Sequence, residues 1–283
     1  RGIILTFLIF QGFDIVYAEE PHGITVMVEN GTTSTPVSKS LPVTLHIVEM
    51  GTELDTFTLS TTEDGEVFFP DVEINPDLSY FISTEYEEAL YFEPVSEENE
   101  ISPIKLYVYE STSSMENIII KDDTVLISDE IPAPQTLHLF EIIRIQNIGK
   151  TTFIPDLTKA KDGVMSFLRF SLPESSFNLD VQTNLLSGNY LQVDKGFALI
   201  SPVPPGEHQI MLRYQVPYDD NSFILSPSFP FGLDSYSITM PKNIGSIQSN
   251  EMTILQDEEE GSISYHVLEA RELMPGSSLK ITL

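Results

Sequence analysis

Apolar residues in this chain recur at every second position and almost never at every third or fourth. "GITVMVEN" (23–30), "LPVTLHIVEM" (41–50) and "EHQIMLRYQVPY" (207–218) all alternate, and Pro, Gly, Asn or Asp bound most such runs. Side chains alternate between the two faces of a strand, whereas one face of a helix repeats every 3.6 residues. The pattern therefore predicts an all-β protein, with only 83–90 and 268–274 open to a helical turn or two. Seven strand-like runs fall between residues 23 and 111, separated by turn residues, and predict a small antiparallel sandwich. A polar stretch, "ESTSSMEN" (110–117), suits a linker, and a second, larger run of strands follows. The expected organisation is two antiparallel β-sandwich domains in tandem, over 19–110 and 117–283.

The first residues, "RGIILTFLIFQGFDIVYAEEP", carry a basic residue, an apolar run over 3–10, and "VYA" before "EEP". This is the pattern of a secretory signal peptide, shortened at its basic end. It predicts a signal over 1–18, a mature start near Glu19 and an extracytoplasmic location. The run is too short to predict a transmembrane helix.

Composition narrows the function classes. With 43 acidic residues against 14 basic ones, the 283-residue chain carries a formal charge of −29, which repels phosphate backbones and argues against nucleic-acid binding. There is no Cys, so disulfides, thiolate metal sites and a Cys nucleophile are excluded. There is no Trp either, which weakens a sugar-stacking platform.

The segment 23–110 resembles a carboxypeptidase regulatory-like domain, a transthyretin- or prealbumin-type, Ig-like sandwich. The residues that carry the resemblance are "GITVMVENGT", "LPVTLHIVE", "TTEDGEVFFPDV" and "LSYFISTEYEEALYFEP". The second segment, with "LRFSLPESSFNL" and "GFALISPVPPGEHQIMLRYQVPY", resembles the β-rich part of secreted or membrane-anchored prokaryotic proteins carrying such a module. The resemblance implies a cell-envelope protein attached through a C-terminal membrane helix beyond residue 283. Collagen-adhesin B-type repeats cross-link a first-strand Lys to an Asn, but "GITVMVEN" has no Lys.

Chemistry is sparse. No Gly-x-Ser-x-Gly, His-Glu-x-x-His or phosphate-cradling Gly loop is present, so no catalytic residue and no cofactor is expected. His22, near Glu19 and Glu20, and His46 with Met50 are the metal candidates, of the His/Met kind that copper uses. In "VTLHIVE", Val43, Leu45 and Ile47 are expected to face inward and His46 outward with Thr44. Acidic runs at 97–100, 122–123, 219–220 and 257–260 read as loops between strands, and their clustered oxygens are the ligand type calcium takes. Asp64-Gly65 in "TTEDGEVFF" (61–69) reads as a hairpin tip, and Asn30-Gly31-Thr32 as a turn rather than a glycosylation site. The expected role is that of a non-catalytic structural or interaction ectodomain with a protein or envelope partner. The alternatives are a carbohydrate- or metal-binding module and an accessory domain of an envelope complex.

Overall fold

The computed structural model describes residues 22–100, 102–128, 135–156, 158, 166–193, 196–218, 222–255, 258–260 and 263–283. The expected signal segment, Glu19, Glu20 and the 219–220 acidic pair lie outside them.

The chain is all-β, with two sandwiches in tandem. The first contains β1 (Gly23–Asn30), β2 (Thr35–Pro36), β3 (Pro42–Glu49), β4 (Thr52–Ser60), β5 (Glu66–Pro70), β6 (Ser79–Tyr86), β7 (Ala89–Val95) and β8 (Ile104–Val108). One layer centres on β1, with β5 and β2 on one edge and β8, parallel, on the other. The second layer is antiparallel in the order β4-β3-β6-β7. Alternation decides the core: Ile24, Val26 and Val28 of β1 meet Val43, Leu45 and Ile82 of the facing layer, all buried. Each such side chain contributes about 1.5–3 kcal/mol relative to exposure.

The second sandwich begins with β9 (Ser111–Thr112), β10 (Ile118–Ile127), β11 (Thr136–Asn147), β12 (Thr152–Phe153), β13 (Leu168–Ser171), β14 (Phe177–Thr183), β15 (Tyr190–Val193), β16 (Gly196–Leu199) and β17 (Gly206–Pro217). It continues through β18 (Ile224–Leu225), β19 (Ser228–Phe229), β20 (Leu233–Pro241), β21 (Thr253–Ile254), β22 (Glu258–Glu260), β23 (Ile263–Leu273), β24 (Ser277–Ser278) and β25 (Ile281–Thr282). Its main sheet runs β14-β17-β11-β10-β20-β23-β21. The small β13-β16-β15 sheet joins the same core through Leu168, Phe197 and Leu199. Most pairings are antiparallel; β1/β8, β9/β12 and β10/β20 are parallel.

Several local expectations change. The 61–69 stretch is not a hairpin: β4 pairs with β3 and β5 with β1, so its tip crosses from one layer to the other. Gly65 has φ +77° there, and a Cβ would sit 2.6 Å from the Val28 carbonyl oxygen. Alternation tells which face a residue takes but not which strand it pairs with. The 83–90 segment is not helical but a hairpin of β6 and β7, in which Glu87 and Glu88 hold φ of 47° and 68°. A tight turn of this kind favours Asn-Gly, so Glu-Glu hides it. The 268–274 segment lies largely in β23. Asp122 and Asp123 stand within β10, and Glu258–Glu260 form β22, rather than falling between strands. In the expected linker, Ser111 and Thr112 pair with Thr152 and Phe153. The Asn30 turn appears as read: Asn30 Oδ1 accepts the N–H of Thr32 (2.9 Å) and Thr33 (3.2 Å). Among the described residues no helix is long and apolar enough to cross a membrane.

Candidate functional site

The two sandwiches are tied where they meet. The Tyr91 hydroxyl donates to the Tyr109 carbonyl (3.1 Å) and shares a 2.7 Å hydrogen bond with Thr152 Oγ1, fully buried in the joint. Burial raises the Tyr91 pKa, so the phenol keeps its proton. The Ser111 N–H donates to Glu87 Oε2 (2.6 Å), and Thr32 Oγ1 donates to the Lys150 carbonyl (2.6 Å). Ile154, from the second unit, packs against the first core.

Beside this joint, side chains of both units line a cleft of about 420 Å³, the size of an ordinary small-ligand pocket. From the first unit come Leu90 and Phe92 of β7 and Tyr107 of β8. Their neighbours Tyr91, Leu106 and Val108 take the inward register. That leaves Leu90, Phe92 and Tyr107 outward and 42%, 46% and 43% exposed. From the second unit come Leu186, Pro204 and Pro205, the prolines holding φ fixed along one wall. Polar groups are few: Glu93, Glu207, Asn184 and His208. Burial raises the Glu93 pKa and lowers that of His208. A neutral His208 must carry its proton on Nε2, which donates to the Pro204 carbonyl at 2.8 Å, so Nδ1 is an acceptor. Exposed aromatic faces edged by acceptors suit a ligand with C–H faces and hydroxyls. The apolar character of both faces of "ALYFEPV" was the available sequence signal; that the second unit would cover one of them was not legible.

The sequence-proposed metal residues do not come together into a site. Among the described residues, no three of His, Asp and Glu converge to hold an ion. Met50 is fully exposed in the turn after β3, and His22 is exposed just before β1. His46 faces outward with Thr44, as its register requires, and both its nitrogens are engaged. Nδ1 lies 2.7 Å from Glu53 Oε2 and Nε2 2.7 Å from Ser83 Oγ, with the ring stacked on Phe81 at 4.3 Å. The order of groups is that of a Ser-His-acid relay. Ser83, however, sits in β6, which is paired on both sides. Its N–H groups serve the ladders and leave no donor pair for an oxyanion. The three residues act as a polar ladder across β4, β3 and β6.

A second cluster went unseen in the sequence. Asp123, Glu141, Tyr214 and Tyr236, from adjacent strands β10, β11, β17 and β20, lie together in the core. The Tyr214 hydroxyl donates to Glu141 Oε2 at 2.8 Å, and the two carboxyls hydrogen-bond to each other. Burial pushes Glu141 up to about 7. Burial, then the Glu141 charge, pushes Asp123 well above the carboxylate range. The pair therefore holds a shared proton at neutral pH. The cavity beside it is about 50 Å³, too small for an organic substrate.

No protein-family model matches the chain, and no curated protein matches it. Solved structures similar to it include a mutant two-domain M1 zinc metallopeptidase bound to L-tryptophan (10% identity, TM-score 0.37). Another is the M1 zinc metallopeptidase from Deinococcus radiodurans (11% identity, TM-score 0.36). Each alignment covers 59% of this chain and 43% or 42% of the other, so the chain spans less than half the length of these neighbours. Likeness at this level carries no inference about activity.

Proposed function

We propose that this protein is a non-catalytic extracytoplasmic ectodomain, held at a membrane or cell surface, that works by binding an envelope partner in the cleft between its sandwiches. The observation that carries the reading is the cleft itself, with Phe92 and Tyr107 exposed beside a hydrogen-bonded joint. A site on a fixed joint loses little freedom when it binds. The extracytoplasmic placement rests on the signal-like start and on the resemblance of residues 23–110 to a carboxypeptidase regulatory-like module.

The chemistry of the cleft favours a carbohydrate over calcium or copper: aromatic faces for the ring, and Glu93, Glu207, Asn184 and His208 for hydroxyls. Titration calorimetry against envelope glycans tests this, with Tyr107→Ala and Phe92→Ala each expected to weaken binding about tenfold. A glycan panel that never binds, or binding indifferent to both substitutions, removes the carbohydrate reading. Turnover of any glycan by the purified protein removes the non-catalytic one.

A further inference from the structure

Phe57 and Leu59 face the wrong way for exposed residues. In register, Phe57 stands opposite Leu45 and Leu59 opposite Val43, and both partners are fully buried. Directly opposed residues of an antiparallel pair share a face. Phe57 and Leu59 therefore belong to the core face of their sheet, yet they are 45% and 40% exposed. The cause is a mismatch between the layers. β4 is the edge of its sheet, and the opposing layer ends at β5, leaving β4 overhanging. Beneath the overhang lies an open groove of about 640 Å³, lined by Ile47, Phe57, Leu59, Phe69, Val72 and Tyr80. All nine residues of β4 are exposed, and as an edge strand it offers backbone groups to another strand. The Thr56 N–H already donates to Asp55 Oδ1 at 2.8 Å, so Asp55 would exchange that contact for the incoming strand.

The rim of this groove is acidic. Asp55 stands opposite Ile47, on the same face as Phe57, and Asp71 and Glu73 line the groove. Among the described residues none of the three forms an ion pair. An inward-facing charge at a sheet edge deters indiscriminate pairing, but it invites a strand of opposite charge. A second copy would bring the same acids and a formal charge of −29 against their like, which disfavours self-pairing.

We propose that a partner protein adds an extended cationic segment alongside β4, as a fifth strand of that sheet. Its inward residues, two positions apart, would be one Lys or Arg against Asp55 and two apolar side chains against Phe57 and Leu59. Main-chain hydrogen bonds supply affinity and the alternate side chains supply selectivity. This surface shares no residue with the cleft.

Fluorescein-labelled peptides with Lys, Val and Val at alternate positions provide the test, compared with peptides carrying Glu for Lys. Binding is read by anisotropy and by hydrogen exchange of the full chain. The Lys peptide should bind, weaken as salt rises, and slow exchange of the 52–60 amides. Phe57→Lys should weaken it about tenfold, Asp55→Lys should shift preference to the Glu peptide, and Tyr107→Ala should leave it unchanged. If Phe57→Lys fails to fold, Glu73→Lys on the exposed rim serves in its place and should also weaken the Lys peptide. Failure of both peptides to bind overturns the proposal. So does binding indifferent to Asp55→Lys, or a homodimer in sedimentation that Phe57→Lys dissolves, which would assign the edge to a second copy.

Discussion

Replacing Glu141 by Gln should make the second sandwich more stable at neutral pH and leave it little changed in acid. Glu141 is 6% exposed, receives the Tyr214 hydroxyl and shares a proton with Asp123. Burial raises its pKa from 4.5 to about 7. The folded state therefore holds a proton that the unfolded state releases, and stability falls as pH rises from the unfolded to the folded pKa. The difference corresponds to about 3 kcal/mol lost across that window. Gln has no proton to lose: its carbonyl can accept from Tyr214 and its amide can donate to Asp123. For a unit of this size, 3 kcal/mol is about 6–12 °C in Tm. Calorimetry or circular dichroism at a series of pH values should show the variant gaining that much on the wild type between mildly acidic and mildly alkaline buffer. The acidic surface also destabilises as pH rises, but both proteins carry it, so the difference reports Glu141 together with its coupling to Asp123, which both proteins keep. Added salt screens the surface and not the core, so the difference should survive it. A pH-independent difference would refute the reasoning, and a variant less stable at every pH would mean that the core accommodates the ionised carboxylate.

Tyr91→Phe should cost about 1–3 kcal/mol, because it strands the buried Thr152 hydroxyl in the joint; melting curves report the loss. Glu88→Gly should raise stability by about 1 kcal/mol in urea titration, since Glu88 holds a left-handed φ of 68° that Gly adopts without strain. Ser83→Ala should cost about 0.5–1.5 kcal/mol for one lost hydrogen bond. A serine-directed fluorophosphonate should leave wild-type Ser83 unlabelled, and labelling there would reinstate the relay as a nucleophile.

The placement of strands was readable because burial alternates: Val43 and Leu45 inward, Thr44 and His46 outward. Pairing was not, because the same alternation fits any neighbour. Hence 61–69 looked like a hairpin when it bridges two layers, and the parallel pairing of β1 with β8 left no local trace. The buried acids were within reach. Glu141 sits in the same register as Leu137, Leu139, Ile143 and Ile145, all buried, and Asp123 is in register with Val125 and Ile127. The doublet Asp122-Asp123 instead suggested a loop. The cleft and the partners of His46 depend on residues brought together from distant segments, which composition and spacing do not encode.

The parallel pairing of β1 and β8 has a mechanical consequence. These are the first and last strands of the first sandwich, and Val26 to Asn30 lie beside Ile104 to Val108 in register. Tension entering at Gly23 and leaving at Val108 pulls the two strands along their length in opposite directions. The ladder is then loaded in shear, so its hydrogen bonds must yield together instead of unzipping one by one. A module wired this way resists a pull applied between its two ends better than one whose end strands can unzip.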